Sequence, residues 1–95
     1  MKNALVTGGS GGIGAAICRR LAADGCHVYI HAHRGLQAAQ TLAEAIYAGG
    51  GSAAVLAFDV TDSRAAADVL TPLVEHQPIQ ILVNNAGIHD DAVFP

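Results

Sequence analysis

The stretch TGGSGGIG, residues 7–14, decides how the rest of the chain is read. Five of its eight residues are glycine. It separates a short apolar run at residues 3–6 from a segment with helical spacing. Two glycine patterns fit it. Gly9, Gly11 and Gly14 spell G-x-G-x-x-G, whereas Thr7, Gly8, Gly12 and Gly14 spell T-G-x-x-x-G-x-G. Either pattern carries physical meaning only between a strand and a helix, and that is where this one lies.

Working outward, the chain alternates between short apolar runs and helical stretches. From Gly12 to about Asp24, Ile13, Ile17 and Leu21 recur every four residues, and Gly25 stops that helix. Residues 28–31 read as a second strand. Leu36, Ala39, Leu42, Ala43 and Ile46 mark a second helix, closed by the tight triple glycine Gly49, Gly50 and Gly51. Residues 53–58 read as a third strand. Thr61 or Asp62 can cap a third helix with the stripe Ala66, Val69, Leu70 and Leu73. Pro72 lies inside that stripe and predicts a kink or an early end. Residues 79–83 read as a fourth strand, and NNAGIHDDAVFP leaves it as a loop. The order β-α-β-α-β-α-β implies an α/β fold, a doubly wound parallel sheet covered on both faces. Right-handed crossovers give the strand order 3-2-1-4, with a switch point between strands 1 and 4.

Composition narrows the function classes. The chain has 95 residues, 52% of them hydrophobic, and a formal net charge of −3. That suits one small globular domain or part of a larger one. Lys2, Arg19, Arg20, Arg34 and Arg64 form no basic tract, and aromatic side chains are few, so a nucleic-acid partner is not expected. No run approaches a membrane-spanning length, so no membrane partner is expected either. Cys18 and Cys26 match no metal spacing, and a reduced, cytoplasmic setting with structural thiols is expected. The five histidines lack a helical i, i+4 pair, so no metal site is expected.

The glycine loop has a definite chemistry. A helix N-terminus leaves N–H groups unpaired and carries positive dipole, so a diphosphate can sit there, with Ser10 adding a hydroxyl donor. Dinucleotide sites usually place an acid at the end of strand 2, where it binds a ribose 2′-hydroxyl. Here that region reads HAHRG, with no carboxylate. His31, His33 and Arg34 would instead attract a 2′-phosphate, which favours NADP(H) over NAD(H). The alternative is that His33 and Arg34 are a solvated strand end.

Three motifs together resemble the short-chain dehydrogenase/reductase family: Thr7-Gly8 with Gly12-Ile13-Gly14; DVTD, residues 59–62, after strand 3; and NNAG, residues 84–87, ending strand 4. The resemblance selects the T-G-x-x-x-G-x-G register and leaves Gly9 and Gly11 as variable positions. It implies a Rossmann-like fold that is incomplete relative to the family, with residues 1–95 as the N-terminal dinucleotide-binding part of a single domain. It further implies that Gly8, Gly12 and Gly14 shape the diphosphate loop, with Ser10, Gly11 and Ile13 beside the cofactor. Asp59 would accept from the adenine amino group and Val60 would pack near the ring, although Asp59 also reads as a helix-entry cap. Asn85, Ala86 and Gly87 would line the cofactor, and Asn84 would be structural. Gly11 stands where many NADPH-using relatives carry an arginine, so the clamp falls to His33 and Arg34 or is absent.

NNAGIHDD is most similar to the 3-oxoacyl-[acyl-carrier-protein] reductases of fatty-acid-type synthesis. That implies reduction of a 3-oxoacyl thioester, a small-molecule or acyl-carrier-bound substrate, and a homo-oligomer, commonly a tetramer. The family's proton donor is a tyrosine with a lysine four residues on. Tyr29 is followed at that spacing by His33 and Tyr47 by Gly51, and the only lysine is Lys2. No catalytic residue is therefore assigned within the chain, and His89, Asp90 and Asp91 read as loop polarity. The alternative function is a truncated dinucleotide-binding module without turnover.

Overall fold

The computed structural model describes residues 1–85. Its elements are β1 (Asn3–Thr7), α1 (Gly12–Ala23), β2 (His27–Ala32), α2 (Leu36–Ala48), β3 (Ser52–Ala57), α3 (Ser63–His76) and β4 (Ile81–Asn84). The four strands form one parallel sheet in the order β3-β2-β1-β4. This is the doubly wound α/β arrangement expected from the sequence.

Side-chain alternation sorts the sheet into two faces. Ala4, Val6, Val28, Ile30 and Ala32 point to one side and are buried with Cys18 of α1 and Ala39, Leu42, Ala43 and Ile46 of α2. Full burial of a side chain such as Ile30 stabilises the fold by about 1.5–3 kcal/mol. Leu5, Tyr29 and His31 point to the other face. There the Tyr29 hydroxyl donates to Gln77 Oε1 at the end of α3, at 2.7 Å.

Both helices on the first face end in the same device. Gly25 and Gly50 adopt φ +92°, a left-handed conformation that suits glycine. Beyond them, Cys26 N–H reaches Leu21 O at 3.0 Å and Gly51 N–H reaches Ile46 O at 2.9 Å. These are Schellman closures, and they turn the chain straight into the next strand.

The strand ends mostly shift by one residue from the sequence reading, and two boundaries differ by more. α3 passes through Pro72 and runs on to His76 rather than ending early. Pro72 and Asp68 are both on the exposed side of the helix, so water can satisfy the carbonyl that proline leaves without a partner. β4 starts two residues later than expected, at Ile81. Just before it, side chains add to the backbone bond from Gln80 N–H to the Asn3 carbonyl at 3.0 Å: Asn3 N–H donates to Gln80 Oε1 at 2.8 Å, and Asn3 Nδ2 donates to the Pro78 carbonyl at 3.2 Å.

Candidate functional site

A cleft of about 690 Å³ opens at the C-terminal ends of the strands. Its floor is the glycine loop, with Gly8, Ser10, Gly11, Gly12, Ile13 and Gly14 all on its lining. His33 and Arg34 approach from the exit of β2, and Asp59 and Val60 from the exit of β3. Asn85, at the exit of β4, completes it. The structure therefore brings together every described residue singled out as a candidate. Ala86 and Gly87, and the loop polarity at His89, Asp90 and Asp91, lie outside the described residues.

The glycines do different jobs. Gly8 adopts φ +62°, which a side chain would strain. A Cβ on Gly14 would lie 2.4 Å from the Gly8 carbonyl oxygen and 2.8 Å from Asn85 Nδ2, so α1 packs against the loop only through a glycine. A Cβ on Gly12 would meet nothing within 4 Å and would project into open space. Gly11 also has room, 3.8 Å from its nearest neighbour. Gly9 is not the freely variable position that the register suggested. A Cβ there would lie 2.9 Å from an Ile30 methyl and 3.1 Å from Cys18 Sγ, because the loop lies directly on the core.

Asn84 and Asn85, at the end of β4, brace the end of β1 and the loop that follows it. Thr7 Oγ1 donates to Asn84 Oδ1 at 3.2 Å, and Asn85 Nδ2 donates to the Gly8 carbonyl at 3.0 Å. Asn85 is buried, so its side chain shapes the loop as well as facing the cleft.

Both helices that start at the cleft start uncapped. α1 begins after Gly11 and α2 after Gly35, and neither has a side-chain cap or an acid in its first turn. Their free N–H groups and dipoles make this end of the sheet attractive to anions. Ser10 lies against the second of them: a Cβ on Gly35 would sit 2.5 Å from Ser10 Oγ.

Asp59 is engaged differently from the sequence reading. It does not cap α3; Asp62 does, accepting from Ala65 N–H at 3.1 Å. Asp59 Oδ1 instead accepts from the Thr61 backbone N–H and hydroxyl, at 2.9 and 2.7 Å. Those two bonds hold its carboxyl below the usual range. Its other oxygen lies 3.7 Å from His33 Nε2, so the carboxylate also faces one of the two basic groups expected to hold a phosphate. His31 departs from the sequence reading too. It is buried beneath the loop, with both ring nitrogens hydrogen-bonded within the protein, and is not a phosphate ligand. The available signal was its position inside an apolar strand, where a polar ring needs internal partners.

Ile13 and Val60 are the apolar side chains of the site, and they stay largely exposed, at 62% and 44%. The cleft thus combines two anion-attracting helix starts with two exposed apolar side chains. Residues 2–95 match the short chain dehydrogenase family. The chain belongs to that family. An acetoacetyl-CoA reductase from Allochromatium vinosum is 45% identical over 96% of this chain and 38% of its own. A 3-oxoacyl-[acyl-carrier-protein] reductase from Aggregatibacter actinomycetemcomitans is 42% identical over 96% and 38%. The crystal structure of a metagenomic short-chain oxidoreductase in complex with NADP superposes with a TM-score of 0.84. That protein is 39% identical over 92% of this chain and 39% of its own. The chain thus spans little more than a third of the length of these relatives. It corresponds to the NAD(P)-binding part of short-chain oxidoreductases.

No helix among the described residues is long and apolar enough to cross a membrane. Nor does any group of three or more histidine, cysteine or acidic side chains among them converge to hold a metal ion.

Proposed function

We propose that the cleft binds NADP(H), and that the protein reduces 3-oxoacyl thioesters to 3-hydroxyacyl thioesters. Residues 1–95 would form the cofactor-binding part of a single domain, acting on a small-molecule or carrier-bound substrate within a homo-oligomer. The observation that carries the cofactor reading is the pairing of two uncapped helix N-termini with a basic, acid-free exit from β2. The open space in front of Gly12 is where a diphosphate would approach the backbone. Arg34 and His33 would hold the 2′-phosphate. Val60 and Asp59 Oδ2 would meet the adenine ring and its amino group, and Ile13 would cover the nicotinamide side. The substrate class rests on the two reductases above, whose names specify acetoacetyl-CoA and 3-oxoacyl-[acyl-carrier-protein].

When bound, the nicotinamide supplies a hydride for the ketone carbon. The chain's own residues bind and orient the dinucleotide. The residues at hand offer no Tyr-x-x-x-Lys pair to donate the proton, which keeps a binding module without turnover as the second reading for these 95 residues. The test is a titration of the full-length protein with NADPH and NADH by nicotinamide fluorescence, followed by turnover with acetoacetyl-CoA. Tighter NADPH binding and NADPH-dependent ketone loss are expected. Binding without ketone loss would overturn the reductase reading, and no binding at millimolar nucleotide would overturn both.

A further inference from the structure

His31 is held at both ring nitrogens, and the reading above gives it no role. It is 2% exposed. Its Nδ1 accepts from the Gly8 backbone N–H at 2.9 Å, and its Nε2 lies 2.7 Å from the Phe58 carbonyl oxygen. A backbone N–H only donates and a carbonyl only accepts. The two bonds together therefore define one species: a neutral imidazole with its proton on Nε2. An imidazolium carries a proton on Nδ1 as well, and that proton would face the Gly8 N–H.

The held peptide is the first of the glycine loop. Gly8 is in the left-handed region, its carbonyl is taken by Asn85 Nδ2 at 3.0 Å, and the next amide, Gly9 N–H, donates to the His31 carbonyl at 2.9 Å. The side chain and backbone of His31 thus hold two consecutive amides of the loop. Through Phe58, whose ring packs 4.2 Å from the imidazole, they also tie that loop to the end of β3.

We propose that His31 is a positioning residue for the dinucleotide loop: as the Nε2-protonated neutral ring it joins the Gly8 amide to the Phe58 carbonyl, and its protonation releases the loop and weakens dinucleotide binding. The binding half rests on the cofactor reading above. Charged and titratable groups around the ring come from two places. His33 follows on its own strand, and Asp59 follows β3, with Arg34 beside it. The end of β1, the loop and the end of β4 present Thr7, Gly8, Asn84 and Asn85, none of which titrates. Burial, then the charge of His33, hold the ring neutral below its ordinary range, against the Phe58 carbonyl and Asp59. The negative charge of a bound diphosphate would also pull toward the imidazolium, but it supplies no acceptor at Nδ1, where the Gly8 N–H already points.

The experiment uses the full-length protein and has two arms. Long-range ¹H–¹⁵N NMR of the His31 ring, without nucleotide, is expected to report the Nε2-protonated tautomer at pH 7.5. An Nδ1-protonated ring or an imidazolium there would overturn the clamp whatever the protein binds. The second arm measures NADH binding at pH 7.5 and 5.5. NADH lacks the 2′-phosphate, so titration of that phosphate and its contact with His33 do not enter. The wild type is expected to bind more weakly at pH 5.5 by a factor of roughly two to five, because a ring held below its ordinary value is only partly protonated there; about tenfold, the scale of one lost neutral hydrogen bond, is the limit at full protonation. His31→Asn, whose Oδ1 accepts from Gly8 without titrating, should bind within about threefold of wild type at pH 7.5 and lose most of that pH dependence. His31→Phe keeps a ring without an acceptor and should bind about tenfold more weakly at pH 7.5. Equal pH dependence in wild type and His31→Asn would overturn the proposal. If neither NADH nor NADPH bound at pH 7.5, the cofactor reading would fail with the binding half, and the tautomer would still decide the clamp.

Discussion

Replacing Gly14 by alanine tests whether the packing of α1 on the glycine loop limits stability. The new methyl would lie 2.4 Å from the Gly8 carbonyl oxygen, 2.8 Å from Gly9 Cα and 2.8 Å from Asn85 Nδ2. Two of these neighbours are backbone, so no rotamer change relieves them, and the helix has to move by about 1 Å to reach ordinary contact. Overpacking of this kind costs about 1–3 kcal/mol. Moving the Gly8 carbonyl also stretches its bond from Asn85, worth about 0.5–1.5 kcal/mol. Alanine in a helix returns up to about 1 kcal/mol relative to glycine. The expected net loss is roughly 0.5–4 kcal/mol. Gly12→Ala is the control, because its methyl meets nothing and it should gain about 0.4–1 kcal/mol. Urea unfolding with linear extrapolation separates the two. If Gly14→Ala proved as stable as Gly12→Ala, the close approach would not be a constraint and this account of the loop would be wrong.

The remaining predictions concern charge. Arg34→Ala should weaken NADPH about tenfold more than NADH, the scale of a charge-assisted hydrogen bond, in a fluorescence titration; equal losses would place the 2′-phosphate elsewhere. Burial holds both His31 and His27 below their ordinary value of 6.5. The unfolded chain then binds more protons, so their stabilising effect is present above about pH 6.5 and is lost as pH falls through the folded values. Unfolding curves between pH 5 and 8 should show that slope, and His31→Asn should reduce it. Cys18 is fully buried, and burial pushes its thiol up to about 11. It should resist iodoacetamide at pH 8 until denaturant is added, and labelling at the rate of a free thiol would contradict its packing under Gly9.

Much of the fold was legible in short windows. Ile13, Ile17 and Leu21 at helical spacing, and Gly25 and Gly49–Gly51 at the helix ends, act through neighbours only a few residues away. The strand order followed from the handedness of crossovers, which is a property of every L-polypeptide. The site was legible through its glycines and through the missing acid after β2. Asp62 as the α3 cap was one of two local options, and the bonding of Asp59 to Thr61 decided between them.

What the sequence by itself determined is the sequence of elements, their parallel order and the loop at the switch point, because period, capping and chain handedness act locally. Only the tertiary structure decided what each polar group at that loop does. His31 is 23 residues from Gly8 and 27 from Phe58, yet it bonds to both, and Asp59 meets His33 across two strands. Gly9 is confined by Ile30 and Cys18, from a strand and a helix that follow it. Spacing along the chain carries no information about such distances. They are set when the sheet and its two first-face helices close on one another, and that closure turns one imidazole inward as a brace and leaves the other at the mouth of the cleft.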